Sequence, residues 1–497
     1  MANIYPFVPR LDLRQETLVG LSVLLSLWTL YSVLFSVRAG LSRIPGPWHA
    51  RYMNVWMAYK AWRYASAEDR YVFYKDLQRR YGDVVRTGPK TVVVLDPAAV
   101  PAIYGVRARL NKGPAYNAFR LGGENRSLLT ISDETTHAKY KRLVSNAFSM
   151  SSMKAYEPYV DEMVGKFVGV LDEFATTGEC VNLSRWCQYY CFDVVSKITL
   201  GKALGFLDGN DAHDLIMRVQ EVATYSAPVS QMPWLHKVLK DNPIARLRVS
   251  NAFAKLVASI VFARLEAKEP PPGRPDLLAH FVETHAKSPE LMDANLVLTL
   301  SSGNLVGGGL SPSRAFNSLC EWLVVHPEGQ DRVFQEVKDA KVTFPVSFDD
   351  VKDLPYLDGI IHEAFRLHTS TSSNLQRVTG SSGLELPNGV YLPPGTNVGC
   401  PASFIDREPR AFGEDAELFR PERWMQQEGE SEHEWRKRRN LMNSTELSFG
   451  QGSRTCLGKN VSLLEFYKGV ATLVTNFKFK ALKVPKKGET WVRVIRR

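Results

Sequence analysis

Six cysteines are scattered through 497 residues, and they form neither a disulfide framework nor a paired C-x-x-C spacing. A disulfide-stapled fold and a structural zinc site are therefore excluded. Cys187 and Cys191 lie four apart on one helix face, but no histidine is near them in sequence, so they read as small buried apolar residues. A reducing compartment fits this usage. Repeats and low-complexity tracts are missing as well. Long linkers are absent between residues 45 and 497, where only "EPPPGRPD" (269–276) and "GESEHEWRKRRN" (429–440) look loop-like or highly charged. The net charge of +10 is not gathered into a basic stripe with interleaved aromatics. Nucleic acid is thus no expected partner, and an anionic surface, either a membrane face or an acidic protein, is.

Charge is also absent from residues 17–37, "TLVGLSVLLSLWTLYSVLFSV", which are just long enough to cross a bilayer's hydrocarbon core as a helix. A cleaved secretory signal is the competing reading; the long apolar run and the lack of a small-x-small cleavage site speak against it. Arg38, Arg43 and Arg51 follow the run, against Arg10 and Arg14 before it, which places the bulk of the chain in the cytosol. The expected organisation is a lumenal N-terminus (1–16), a transmembrane anchor (17–37), a proline-rich hinge (38–48) containing "RIPGPW", and one large domain (49–497).

Within that domain, "NAFAKLVASIVFARLEA" (251–267), "RAFNSLCEWLVV" (314–325) and "VSLLEFYKGVATLVTNF" (461–477) repeat apolar residues at spacings of three and four, as helices do. "DVVRTGPKTVVVLDP" (83–97) reads as a strand pair turned at Gly-Pro, and "LELPNGVYLPPGTNVGC" (384–400) as a second strand-rich patch with an Asn-Gly hairpin. The expected fold class is mostly α with a small β portion.

"LSFGQGSRTCLGKNVSLLEF" (447–466) carries the chemistry. Cys456 sits in a loop studded with Gly450, Gly452 and Gly458, whose backbone can turn tightly and approach something large and flat. The helix start beyond Cys456 points free N–H groups at the sulfur, and Arg454 adds a cation, so thiolate is favoured over thiol. Such a thiolate is a metal ligand or a nucleophile. A nucleophile needs a histidine base, which no recognisable motif supplies; haem iron needs only one axial ligand from the protein.

Phe449, Gly452, Arg454, Cys456 and Gly458 match F-x-x-G-x-R-x-C-x-G, the signature of the cytochrome P-450 family of haem-thiolate monooxygenases, which this sequence resembles from its N-terminal apolar run to its final helix. "EAFR" (363–366) matches the family's E-x-x-R helix and "PERW" (421–424) its P-E-R-F/W segment. The resemblance implies the P-450 fold, haem b on Cys456, and a buried triad of Glu363, Arg366 and Arg423 bracing the haem-binding core. It also implies that His137 and Lys141, with Arg142 beside them, stand where the family has Trp or His and then Arg to meet a haem propionate. Arg377 and Arg454 would add further cations there, and Phe449, Gly450 and Gly458 would complete the haem cradle. "NKGPAYNAF" and "GKNVSLLEFYKGVATL" are similar to the fungal secondary-metabolism enzymes of the pisatin demethylase type.

The resemblance also gives meaning to "VGGGLSPSRAF" (306–316), an apolar segment with three glycines and a Ser-Pro at its centre. It is similar to the family's long helix on the distal face of haem, with glycines at Gly307 and Gly308, which would let oxygen and substrate approach closely. The family acid falls on Leu310 and its threonine on Ser311. Pro312 should kink the helix there. In the family an acid–alcohol pair delivers protons for O–O cleavage. With Leu310 in place of the acid, either Ser311 and water suffice for ordinary monooxygenation, or the reaction is oxidative coupling or rearrangement. A non-catalytic haem-binding protein is a third class.

No flavin- or NADPH-binding segment is present, so the resemblance implies a separate NADPH-dependent flavoprotein reductase, O2 and a small organic substrate at the endoplasmic reticulum membrane. "RKRR" (436–439) reads either as a docking face for an acidic partner or as a solvated charge run. Residues 115–130, 225–234, 304–311 and 369–375 are expected to line the substrate pocket.

Overall fold

A computed structural model describes residues 40–64, 66–120, 127–209, 215–240, 252–267, 275–369, 374–482 and 489–497, with isolated positions between 20 and 30. The expected lumenal segment lies outside the described residues and the anchor almost wholly so; among the described residues no helix is long and apolar enough to cross a membrane. The fold is mostly helical with a small β portion, as expected. The hinge is docked rather than loose. Arg86 donates its amide to Pro45 O at 2.7 Å and its guanidinium to Leu41 O at 3.3 Å, and Leu41 and Ile44 are already buried. Packing therefore begins about eight residues before the expected boundary at 49.

The helices that position the site are α1 (Glu134–Val144), α2 (Glu157–Thr177), α3 (Leu183–Leu200), α4 (Ala294–Val325), α5 (Pro355–Leu367), α6 (Glu432–Thr445) and α7 (Lys459–Asn476). Helix α4 starts where the Asp293 carboxylate accepts the Leu296 amide at 2.8 Å, and it stops just before Pro327. It runs unbroken through Pro312, so the expected kink is not a break. Pro312 costs the bond to the Gly308 carbonyl, but the buried face from Leu305 through Gly309 to Phe316 holds both halves against α3 and α7.

Among the described residues, one sheet has the strand order β1 (Val84–Arg86), β2 (Thr91–Val94), β8 (Asn397–Gly399), β5 (Arg377–Val378), β3 (Asn111–Lys112). The β1–β2 pair turns at Gly88–Pro89 as the sequence predicts. The β3–β5 register sets Lys112 directly opposite Arg377, so two cations are forced together by backbone pairing. A second sheet joins β4 (Cys180–Asn182), β10 (Trp491–Arg496) and β9 (Phe477–Ala481), and β6 (Leu384–Glu385) pairs with β7 (Tyr391–Leu392) across the predicted Asn388–Gly389 turn.

The main hydrophobic core joins α2, α3, α4, α5 and α7, with Phe192, Phe316, Phe365 and Phe466 at its centre. It contains one misfit. Glu465 on α7 is fully buried and neither carboxylate oxygen has a hydrogen-bond partner of ordinary geometry. Burial pushes its carboxyl up to about 8, tempered by the nearby Cys191 thiol. From about pH 4.5 to about 8 the unfolded chain therefore releases a proton that the folded chain keeps, so stability falls as pH rises through that window. Glu465→Gln should flatten this decline and be the more stable protein at pH 8, measured as urea midpoints from pH 5 to 9. A steeper decline in the variant would contradict the assignment.

Candidate functional site

The cysteine loop is held from both ends. At its start, Leu447 donates its amide to the buried Asp406 carboxylate at 2.7 Å, and Ser448 donates to Phe365 O at 3.1 Å. Further on, the Cys456 amide returns to Phe449 O at 2.8 Å, closing the loop on itself. Gly450 and Gly452 both adopt φ +65°, the left-handed conformation that favours glycine, and a Cβ on Gly452 would lie 2.0 Å from Tyr104 O. Gly458 has an ordinary φ, and a Cβ there would make only ordinary contact with the Cys456 sulfur at 3.8 Å. The Phe449 ring meets Phe365 edge-on at 4.7 Å, fixing the loop to α5.

Cys456 is accessible, yet protein desolvates it enough to raise its thiol pKa. The Gly458 amide, Lys141, Lys112 and the Lys459 amide pull toward thiolate and do not win. The pull still lowers the cost of deprotonation, and metal coordination removes such a proton outright.

Beside the loop stands a cluster of basic groups, though not with the expected division of labour. Arg454 is committed to protein: Nε pairs with Glu134 at 2.6 Å, and the two other nitrogens donate to Ile131 O and Ser132 O at 2.8 Å each. Lys141 donates to Ser453 O at 2.7 Å and Thr455 O at 3.2 Å, so it clamps the cysteine loop to α1. Arg142 is exposed and does not join the cluster, because one residue along a helix turns the side chain about 100° away. Arg377 is buried over the Tyr104 ring at 4.8 Å, with Nη1 3.4 Å from the Tyr116 hydroxyl. His137 is buried and its Nδ1 has no partner. Burial, Arg454, Lys112, Lys141 and Arg377 lower its pKa to about 3, which favours the neutral imidazole.

Two members of the cluster escaped the sequence reading. Lys112 is buried, with Nζ 2.7 Å from Leu129 O and 4.7 Å from the Tyr116 ring centre; desolvation and its cationic neighbours hold its pKa well below normal. Both residues lie in "NKGPAYNAF". A Lys and a Tyr four apart were a signal, but only the pairing of β3 with β5 reveals that they face Arg377.

The expected triad is assembled. Arg366 grips Glu363 with two bonds of 2.7 Å, both residues fully buried. Trp424 Nε1 and the Arg420 amide complete the carboxylate at 2.7 and 2.9 Å. Arg423 Nε stands 3.4 Å from Glu363 and spends its other nitrogens on Phe412 O, Asp415 and Leu418 O. The charge run on α6 is largely structural. Arg438 pairs with Glu430 at 2.8 Å, Arg439 with Asp358 at 3.0 Å and Arg436 with Glu432 at 2.7 Å, leaving Lys437 without a partner among the described residues.

On α4 the glycines divide. A Cβ on Gly307 would meet nothing within 4 Å, whereas on Gly308 it would strike Val195 Cγ2 at 2.4 Å and on Gly309 the Phe192 ring at 2.3 Å. Gly308 is therefore tightly packed against α3, and Gly307 is the open position. Leu310 packs against the core, while the half-buried Ser311 hydroxyl makes no hydrogen bond to a described residue. Two of the expected pocket segments meet: Ser226 donates to Ala118 O at 3.3 Å, and His236, just past the second segment, bridges Arg120 O at 3.1 Å and the Tyr225 hydroxyl at 3.2 Å. Residues 370–373 lie outside the described residues.

A family model described as Cytochrome P450 matches residues 50–495. The chain belongs to the cytochrome P450 family. Its relatives include the cytochrome P450 monooxygenase cicH of Emericella nidulans, 32% identical over 456 residues that cover 89% of each chain. A cytochrome P450 monooxygenase of Aspergillus terreus is 31% identical, with 88% of this chain and 90% of the relative covered. For gsfF of Penicillium aethiopicum the identity is 30%, with 90% of both covered. As a P450 the chain is an oxidoreductase that incorporates oxygen, and its residues fit a haem-thiolate group. Cys456 offers a single sulfur ligand. Beside it, Lys112, Lys141, Arg377 and Arg454 surround one carboxylate, Glu134, with an orphaned His137 nitrogen among them. That excess of positive charge suits an anionic cofactor.

The two glycines of this P450 give opposite expectations on substitution. Gly308→Ala should lose roughly 1–3 kcal/mol through overpacking on Val195. Gly307→Ala should be neutral or gain up to about 1 kcal/mol in helix propensity. Urea unfolding of both variants decides, and greater loss at Gly307 would refute the division.

Proposed function

We propose that this P450 binds haem b through Cys456 and takes electrons from a separate NADPH-dependent flavoprotein reductase. With them it inserts one oxygen atom of O2 into a small organic substrate, of the kind handled in fungal secondary metabolism. The observation that carries this reading is the Cys456 loop itself: a lone thiol beneath converging amides, braced by Asp406 and α5, and bordered by buried cations. Haem in this cradle supplies oxygen activation. The chain's own part is to hold the ligand sulfur, neutralise the cofactor's acidic groups with Lys112, Arg377 and the His137 donor, and keep the distal side open at Gly307. Ser311 Oγ, which makes no hydrogen bond to a described residue, is the group to hand on a proton.

Leu310 favours a second reading. With an apolar side chain at the acid's position, proton delivery depends on Ser311 and water, and oxidative coupling or rearrangement needs less of it. The reactions separate by product: a mass gain of one oxygen against a product without it.

We place the enzyme at the endoplasmic reticulum membrane, single-pass, with the catalytic domain in the cytosol. Besides the apolar run at 17–37, an exposed apolar surface supports this placement. Trp48, Tyr59 and Trp62 stand on or beside the helix Val55–Arg63, which packs against Leu215–Val229, and Trp234, Val238 and Leu239 are exposed on the next helix. Aromatic residues of this kind favour a bilayer interface. For the reductase, the α6 run offers only Arg436 and Lys437 at the surface, a smaller docking face than "RKRR" suggests.

Carbon monoxide added to the reduced holoprotein should give the far red-shifted Soret band of a thiolate-ligated haem, and Cys456→Ala should abolish it. A band like that of haemoglobin would end this reading. Ser311→Ala should raise NADPH consumption per product formed, with release of hydrogen peroxide; unchanged coupling would mean that protons reach the site by another route.

A further inference from the structure

Gly303, Gly307, Ser311 and Arg314 are spaced four, four and three apart, so they share one face of α4. The opposite face, from Ser301 through Leu305, Gly309 and Pro312 to Phe316, is buried. Gly303, Gly307 and Arg314 are exposed, and a Cβ on either glycine would meet nothing within 4 Å. This is no outer surface. Helix α4 runs through the middle of the molecule, flanked by α3, α5, α7 and the helices Leu215–Val229, Ala252–Glu266 and Leu277–Lys287. Arg314 is accessible along this open face, yet the protein packed around α4 still desolvates its guanidinium enough to lower its pKa.

Arg314 makes no ion pair and no hydrogen bond to a described residue, and no carboxylate influences it. The charged group near it is another cation, Arg70, whose buried guanidinium donates to Tyr64 O at 2.8 Å and Ala61 O at 3.3 Å. Further back along α4, the Asn304 Nδ2 is buried without an acceptor. The α4 face beside Ser311 thus carries donors and positive charge with no acceptor to match. Leaving an arginine desolvated beside a second arginine is costly, and a protein keeps such an arrangement where a ligand brings the counter-charge.

We infer that Arg314 is a substrate anchor, and that the substrate of this P450 is an organic acid whose carboxylate is held by the Arg314 guanidinium, one turn along α4 from Ser311, while the glycine positions 303 and 307 leave room for its carbon skeleton. The inference deepens the monooxygenase reading and relies on it for the position of the reacting centre.

The test uses the full-length holoprotein and four carboxylic acids paired with their primary amides: octanoic, dodecanoic, benzoic and cinnamic. Affinity is read twice, by the Soret shift on titration and by equilibrium dialysis. At least one acid should bind roughly ten- to hundredfold more tightly than its amide, the range of a charge-assisted hydrogen-bonded pair. That preference should vanish in Arg314→Gln and persist, weakened, in Arg314→Lys, which keeps the charge without the planar fork. Both variants should retain the wild-type carbon monoxide spectrum, which separates lost recognition from lost folding. No acid preferred over its amide, or a preference that survives in Arg314→Gln, overturns the proposal. A wild-type spectrum without the thiolate band would instead defeat the haem-thiolate reading, and dialysis would still report on Arg314.

Discussion

The buried pairing of Glu363 with Arg366 is the constraint on which the rest depends. Two charges inside a core are tolerable only when every lone pair and proton is used, and this pair recruits its satisfaction from distant chain. Arg366 reaches the carbonyls of Asp406, Ala416 and Leu418, and Glu363 takes the Trp424 indole and the Arg420 amide. The stretch from 406 to 424, built of short helical turns with no strand or long helix among them, is thereby tied to α5. From Asp406 the tie continues to Leu447, the first residue of the cysteine loop. A fully satisfied ion pair thus sets the position of a thiol ninety residues downstream.

Charge is distributed by the same logic elsewhere. Arginines that look like ligand-binding groups in sequence are often spent on carbonyls, because irregular backbone leaves acceptors that only long, multi-donor side chains can reach. Arg454, Lys141, Arg438 and Arg439 all serve in this way. Among the described residues, two groups with unspent capacity, the His137 nitrogen and the Arg314 guanidinium, are the more informative.

Much of this was legible in the linear chain. Cys456, its glycines and the Glu363–Arg366 helix pair are local patterns whose spacing carries their geometry, and the helices and hairpins followed from period and turn residues. What was not legible depended on tertiary pairing. Lys112 matters because β3 lies against β5; Gly308 is a packing residue because Val195 comes from α3; Arg142 drops out because burial selects one face of α1. At Pro312 the helix continues, since packing on both sides can hold a helix together across a local breaker. Within the proline-rich segment, Leu41 and Ile44 are buried, which no local pattern announces.

The docking of "RIPGP" on the sheet has a geometric outcome. Gly40 turns with φ +67° against Pro393, and Pro45 and Leu41 are bonded to Arg86 of β1. The direction in which the polypeptide leaves the globule is accordingly a property of strand β1, with no swivel between them.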